Sequence, residues 1–93
     1  MDDFSSKPGV PNAYGLTGGE KNAIQPRKRM LNSISPALIF GPAGSVTATR
    51  SPGGSRIITT MLQMVSNLVD HQMNIAKATR APRMHHQWLP DVL

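Results

Sequence analysis

The sequence predicts an α+β fold, and three patterns along the chain support this prediction. Residues 37–49 hold two short apolar runs on either side of a Gly/Pro turn, which is typical of a β-hairpin. Residues 55–69 carry apolar side chains at helical spacing, and a shorter helical pattern covers 75–80. Burial of the apolar faces would need a larger sheet than two or three short strands provide. The 93 residues are therefore interpreted as a segment of a bigger domain.

Composition narrows the class of protein without deciding it. The chain has no cysteine, which excludes disulfides and thiolate chemistry and leaves the cellular compartment open. Its net charge of +5 includes a compact run at 27–29, either a solvated charge run or part of a basic module that binds nucleic acid or another anionic partner. No apolar run is long enough to span a membrane, and the acidic start at 1–4 is unlike a signal peptide.

The chain divides into a loop-rich region at 1–30 and a strand-and-helix region at 31–93. The first region is rich in Gly, Pro, Asn and Ser, and it contains the turn-forming pairs Pro8-Gly9 and Gly18-Gly19. A long excursion of this composition is either a functional loop or a disordered one.

In the second region, the expected hairpin joins a strand at 37–40 to one at 45–49, where apolar Val46 and Ala48 alternate with polar residues. The turn between them lies at 41–44.

A helix is then predicted to begin near Ser55, which is a suitable N-cap. Its apolar stripe runs from Ile57 to Val69, and Met61 and Met64 are expected to fill the core rather than to form a cofactor site.

The chain is expected to break at 71–74. A short helix at 75–80 follows, capped by Asn74 and stopped by Pro82. The residues at 83–89 are interpreted as a final strand.

The pair Gly53-Gly54 is the best candidate for chemistry. Glycine allows close backbone approach to a ligand, and a helix start offers unpaired N–H donors, so the pair could stabilise an oxyanion. The alternative is a strand-to-helix turn without a chemical role.

Other polar residues also have two interpretations. Asp2 and Asp3 are either paired carboxylates, suited to acid–base work or to binding a substrate ammonium, or a frayed acidic terminus. Ser33 and Ser35 lack a nucleophile motif but suit hydrogen bonding to a carboxylate. The adjacent His85 and His86 would point to opposite faces of a strand, which argues against a shared metal ion.

Taken together, several segments resemble one family, and they cover essentially the whole chain in the family's order. The chain resembles the small subunit of γ-glutamyltransferase (γ-glutamyltranspeptidase), an N-terminal-nucleophile hydrolase. The matching segments are Met1-Asp2-Asp3-Phe4-Ser5 with Lys7-Pro8-Gly9-Val10-Pro11-Asn12, Lys28-Arg29 with Leu31-Asn32-Ser33-Ile34-Ser35-Pro36, Ser51-Pro52-Gly53-Gly54-Ser55-Arg56-Ile57, and Ala81-Pro82-Arg83-Met84-His85-His86-Gln87-Trp88-Leu89-Pro90.

The resemblance implies a fold and a set of roles. The fold would be part of an αββα sandwich. Asp3 would pair with the α-ammonium of a γ-glutamyl substrate such as glutathione, and Ser33 would bind its α-carboxylate or amino group. Gly53 and Gly54 would hold the oxyanion. No cofactor, metal, nucleic acid or membrane is implied.

Two departures from the family are visible. Asn32 stands where the family usually has the first serine of a Ser-Ser pair, so substrate affinity or preference is expected to differ. No Thr-Thr-His stretch, which supplies the family's nucleophile, occurs in the 93 residues. We therefore expect an internal fragment of the small subunit that is inactive alone and that relies on the large subunit and the rest of the small subunit. The parent would be a bacterial periplasmic or secreted enzyme.

Overall fold

The computed structural model describes residues 4–32, 34–88 and 91, and a β-hairpin comes first among its regular elements. Strand β1 (Ala37–Phe40) pairs antiparallel with β2 (Val46–Thr49), with Phe40 opposite Val46. The turn between them contains a 3₁₀ segment, Pro42–Gly44, and the Gly41 N–H donates to the Ser45 carbonyl at 2.8 Å. The predicted hairpin is confirmed, with β2 one residue shorter than expected.

The hairpin leaves its more apolar face exposed. That face carries Leu38, Phe40 and Val46, whereas Ile39, Thr47 and Thr49 on the other face are half-buried. An antiparallel sheet normally buries its apolar face and turns the polar one to solvent. The apolar face therefore has the character of a surface that packs against further structure.

The long helix α1 (Arg56–Val69) has an apolar stripe on each of two sides. Ile57, Met61 and Met64 are buried, as predicted for the two methionines, and their spacing of four and three residues places them on one face. Ile58 and Leu62 lie four residues apart on a second stripe and are exposed by 72% and 68%. Only one side of the helix is thus covered by the described residues.

The expected N-cap of α1 is wrong in its chemistry. Ser55 stands at the N-cap position but has helical backbone angles, and its side chain makes no capping hydrogen bond. Its hydroxyl donates instead to Gln87 Oε1 at 2.7 Å, so a contact 32 residues away replaces the local one.

The short helix α2 (Ile75–Arg80) begins as predicted. The Asn74 side chain accepts a hydrogen bond from the Lys77 N–H at 2.9 Å, which satisfies an otherwise unpaired donor of the first turn. Ala78 on this helix is fully buried, and α2 packs against α1.

The strand expected at 83–89 is wrong over its described part. Residues 82–88 form no strand, because Met84 bonds to a helix side chain instead of to a neighbouring strand. The Gln63 amide accepts from the Met84 N–H at 2.9 Å and donates to the Met84 carbonyl at 2.6 Å. The Arg83 guanidinium donates to the Thr79 carbonyl at 2.7 Å. The segment is thereby fixed along the two helices.

The chain is less compact than a folded monomer of the same length. Its radius of gyration is 16.4 Å, whereas a compact chain of this size has about 12 Å. Its accessible surface is 7633 Å², whereas a folded monomer of this mass exposes about 5,300 Å². No helix in the described part of the chain is both long and apolar enough to cross a membrane.

Candidate functional site

The glycine pair lies immediately before α1 in a conformation that favours glycine. Gly53 has φ +134° and Gly54 has φ +56°, and both residues are half-buried. Their carbonyl groups accept the N–H groups of Arg56 and Ile57, each at 3.1 Å. Among the described residues, none accepts a hydrogen bond from the N–H of Gly53 or Gly54. Two consecutive donors are therefore available at the positive end of a helix, which suits a developing negative charge.

The Tyr14 ring lies against Gly54. A Cβ atom added to Gly54 would be 2.7 Å from Tyr14 Cε2 and Cζ, a distance that real side chains do not adopt. Asn12 organises the loop that presents this ring, since its side-chain oxygen accepts the N–H groups of Tyr14 at 2.9 Å and Leu16 at 3.1 Å. The loop at 1–30 thus reaches the glycine pair.

A network of polar side chains links the residues that follow the glycine pair to residues 85–87. Gln87 accepts from the Ser55 hydroxyl at 2.7 Å and donates to the Tyr14 carbonyl at 2.6 Å. His85 Nε2 lies 2.9 Å from Gln87 Oε1, and His85 Nδ1 lies 2.8 Å from the Thr59 hydroxyl. Ser55, Thr59, His85 and Gln87 are all half-buried, so these bonds are partly shielded from water.

No role for Gln87 was predicted from the sequence. Its partners Ser55 and Tyr14 lie 32 and 73 residues away, so no local pattern marks these contacts. The one available indication was its place in the Pro82–Pro90 stretch that resembles the family.

A second amide, Asn22, holds together the two segments that carry the predicted substrate residues. Its backbone carbonyl accepts the Ser5 N–H at 2.9 Å, and its side-chain oxygen accepts the Leu31 N–H at 3.3 Å. Ser5 follows Asp3 by two residues and Leu31 precedes Ser33 by two. Asn22 therefore brings the backbone on one side of each predicted residue into the same neighbourhood.

The structure describes only some of the predicted substrate-binding residues. Asp2, Asp3 and Ser33 lie outside the described residues. Asn32 is exposed, and its side-chain oxygen accepts the Ile34 N–H at 2.9 Å, a local turn before β1. Within the described residues no hydrogen bond joins Asn32 to the glycine pair.

The two adjacent histidines have separate surroundings. His85 belongs to the Gln87 network, while His86 Nε2 lies 3.0 Å from the Asp91 carboxylate, which is 89% exposed. The described part of the chain contains no group of three or more potential metal ligands.

Comparison with known proteins identifies the relatives of this chain. A family model described as gamma-glutamyltranspeptidase matches residues 1–93. The glutathione hydrolase proenzyme of Escherichia coli is 61% identical over 93 residues, and that of Pseudomonas aeruginosa is 48% identical over 90 residues, or 97% of this chain. The chain spans 16% of the length of each of these relatives.

Solved structures give the same result. An acivicin-inhibited gamma-glutamyltranspeptidase superposes with a TM-score of 0.81 at 57% identity, covering 97% of this chain and 48% of that one. A mutant of the Helicobacter pylori gamma-glutamyltranspeptidase gives 0.80 at 57% identity with the same coverage. The fold is thus that of part of these enzymes, and nothing in the comparisons favours a nucleic-acid module.

Proposed function

We propose that this chain, which belongs to the gamma-glutamyltranspeptidase family, forms part of the γ-glutamyl site of a glutathione hydrolase. The observation that carries the proposal is the glycine pair, which offers two consecutive N–H donors at a helix start, within a family match over the whole chain. Gly53 and Gly54 would donate to the oxygen of the γ-carbonyl as it gains negative charge.

The zwitterionic head of the substrate would be held at the other end of the site. Asp3 would accept from the α-ammonium, and Asn32 and Ser33 would donate to the α-carboxylate. The bonds of Asn22 to Ser5 and Leu31 support this division, since they bring the two segments together. Because the oxygen of Asn32 is engaged by the Ile34 N–H, its amide nitrogen would make the substrate contact.

The reaction we propose is acyl transfer through a threonine ester, as the family resemblance implies. The threonine, supplied by the rest of the enzyme, would lose its hydroxyl proton to a base as its oxygen adds to the γ-carbonyl carbon. The carbonyl electron pair would move onto the oxygen facing Gly53 and Gly54. Collapse would break the C–N bond, and the departing amine would take up the proton. Water or an acceptor amine would then attack the ester and release the threonine.

The rest of the parent enzyme, its large subunit and the remainder of its small subunit, is the proposed partner. The exposed apolar face of Leu38, Phe40 and Val46 and the second stripe of α1, with Ile58 and Leu62, would pack against it. This proposal accounts for the large accessible surface of the isolated chain, since such faces are rarely left bare.

A chimera tests the proposal. The E. coli proenzyme with its matching segment replaced by residues 1–93 is expected to mature and to hydrolyse a chromogenic γ-glutamyl anilide. In that chimera Gly53→Ala, which forces alanine to φ +134°, is expected to lower kcat by about 100-fold. A polypeptide of residues 1–93 alone is expected to show no turnover. An inactive chimera, or turnover by the 93-residue polypeptide, would contradict the proposed roles.

A further inference from the structure

Gln87 joins three parts of the chain through one side chain. Its amide nitrogen donates to the Tyr14 carbonyl at 2.6 Å. Its amide oxygen accepts from the Ser55 hydroxyl at 2.7 Å and lies 2.9 Å from His85 Nε2. An amide side chain that uses both ends in this way has one orientation that satisfies these three partners.

The Tyr14 carbonyl determines that orientation. A carbonyl oxygen only accepts hydrogen bonds, so the Gln87 nitrogen must face it and the Gln87 oxygen must face Ser55 and His85. Ser55 is then the donor, and His85 carries a hydrogen on Nε2. In the neutral ring Nδ1 is consequently an acceptor, which suits the Thr59 hydroxyl at 2.8 Å. The Arg56 carbonyl, 3.1 Å from the Thr59 oxygen, is a second acceptor for the one Thr59 hydrogen, and the orientation of Gln87 does not depend on which of the two receives it.

These bonds act on both neighbours of the glycine pair. Ser55 follows Gly54 directly in the chain, and the Tyr14 ring covers Gly54. Glycine has the freest backbone of all residues, so the direction of the Gly53 and Gly54 N–H groups depends on contacts from other segments as well as on the bonds of the two carbonyls to Arg56 and Ile57. Oxyanion donors are effective only when they are already aimed before the charge develops.

We propose that Gln87 is the positioning residue of the glycine pair, because it fixes Ser55, which follows Gly54 in the chain, and the backbone of Tyr14, whose ring covers Gly54. The inference rests on the proposed function, since it assumes that these N–H groups hold an oxyanion. Gln87 acts through its neighbours and touches no reacting atom. Its loss therefore weakens stabilisation of the transition state and leaves binding of the substrate head intact.

Gln87→Glu in the chimera is the sharpest test. Glutamate has the same size but lacks the N–H donor, and it places a charged oxygen where the bond to the Tyr14 carbonyl was. We expect kcat per active site to fall about ten-fold, with KM within about two-fold, because the lost stabilisation belongs to the transition state. Active sites are counted by titration with acivicin, which inhibits a solved relative. The control is Gln25→Glu, the same chemical change at an exposed position, which is expected to leave both constants unchanged.

A double-mutant cycle with Ser55→Ala separates positioning from general support of the fold. Ser55→Ala alone is expected to lower kcat about three-fold, and to have less effect in the Gln87→Glu background, because residues in one network are not additive. If Gln87→Glu yields too few titratable sites, the kcat of Ser55→Ala decides the matter.

Unchanged kcat per titrated site in either variant, or equal losses in Gln25→Glu, would overturn the role of Gln87. An unmodified chimera without activity would instead contradict the proposed function itself.

Discussion

Two residues, Asn22 and Gln87, hold distant segments together, and they differ in what they hold. In the loop-rich region, the Asn22 backbone carbonyl accepts the Ser5 N–H and the Asn22 side-chain oxygen accepts the Leu31 N–H. Gln87 joins the Tyr14 carbonyl to the Ser55 hydroxyl beside the start of α1. The first region would face the charged head of the substrate, which is present before and during the reaction. The second would face an oxygen that becomes charged only in the transition state.

The two regions are therefore expected to affect different kinetic constants of the proposed site. Contacts made equally in ground state and transition state affect KM, and contacts made only in the transition state affect kcat. The region around Asn22 is therefore expected to control KM, and the region around Gln87 to control kcat. Each variant below is made in the E. coli chimera, where such a division is measurable.

The largest effect is expected from Gly54→Ala. The new methyl group would meet the Tyr14 ring at 2.7 Å, and alanine would be held at the unfavourable φ of +56°. We expect kcat to fall by at least about 100-fold, as for the loss of an oxyanion donor. Steady-state kinetics with a γ-glutamyl anilide measure it.

Gly19→Ala is the matched control for this variant. Gly19 has φ −102° and open space where a Cβ would lie, so normal kcat is expected. Equal kcat values for Gly54→Ala and Gly19→Ala would contradict the prediction that the glycine pair controls kcat.

The ten-fold effect expected for Gln87→Glu is followed by a smaller one at Asn22. Asn22→Ala removes the acceptor for the Leu31 N–H, which loosens the segment before Ser33. We expect KM to rise about five-fold, the loss of roughly one hydrogen bond, and kcat to stay within about two-fold. Kinetics over a wide range of substrate concentration separate the two constants.

Glu20→Ala is the control for Asn22→Ala. Glu20 is exposed and lies with Asn22 in a 3₁₀ turn, Glu20–Asn22, so neither constant is expected to change. A fall in kcat with constant KM for Asn22→Ala would reverse the comparison between the two regions.

The smallest effect on catalysis is expected at Asn74, which belongs to neither region. Asn74→Ala removes the cap of α2, worth about 1 kcal/mol, so exchange of the Ala78 amide hydrogen should accelerate about five-fold. Hydrogen exchange measured by mass spectrometry or NMR checks this, with Asn74→Ser as the variant that keeps a cap. Asn74→Ala is expected to leave kcat and KM unchanged. An altered kcat would show that α2 also belongs to the part of the chain that controls kcat.

The elements that depend on residues close together in the chain could be predicted from the sequence. The hairpin, α1, and α2 with its Asn74 cap were predicted because periodicity, turn residues and caps act over a few positions. Over its described part, the expected strand at 83–89 was wrong because the partner of Met84 is the Gln63 side chain, 21 residues away on a helix. The cap at Ser55 was wrong for the same reason, since Gln87 takes the hydroxyl.

The candidate site divides along similar lines. The glycine pair could be found from sequence because glycine before a helix is a local pattern, and the resemblance supplied the roles of Asp3, Asn32 and Ser33. The contributions of Tyr14, Asn22 and Gln87 depend on contacts between segments that only a folded chain brings together. For these residues, type and spacing alone predict nothing.

The position of Gln87 also has a consequence for protein synthesis. Gly54 leaves the ribosome 33 residues before Gln87. At about 5–20 residues per second, this interval lasts roughly 2–7 s. During that time the glycine backbone lacks the bonds that Gln87 makes to Ser55 and Tyr14. The order of residues along the chain therefore delays positioning of the proposed oxyanion donors until Gln87 has been synthesised.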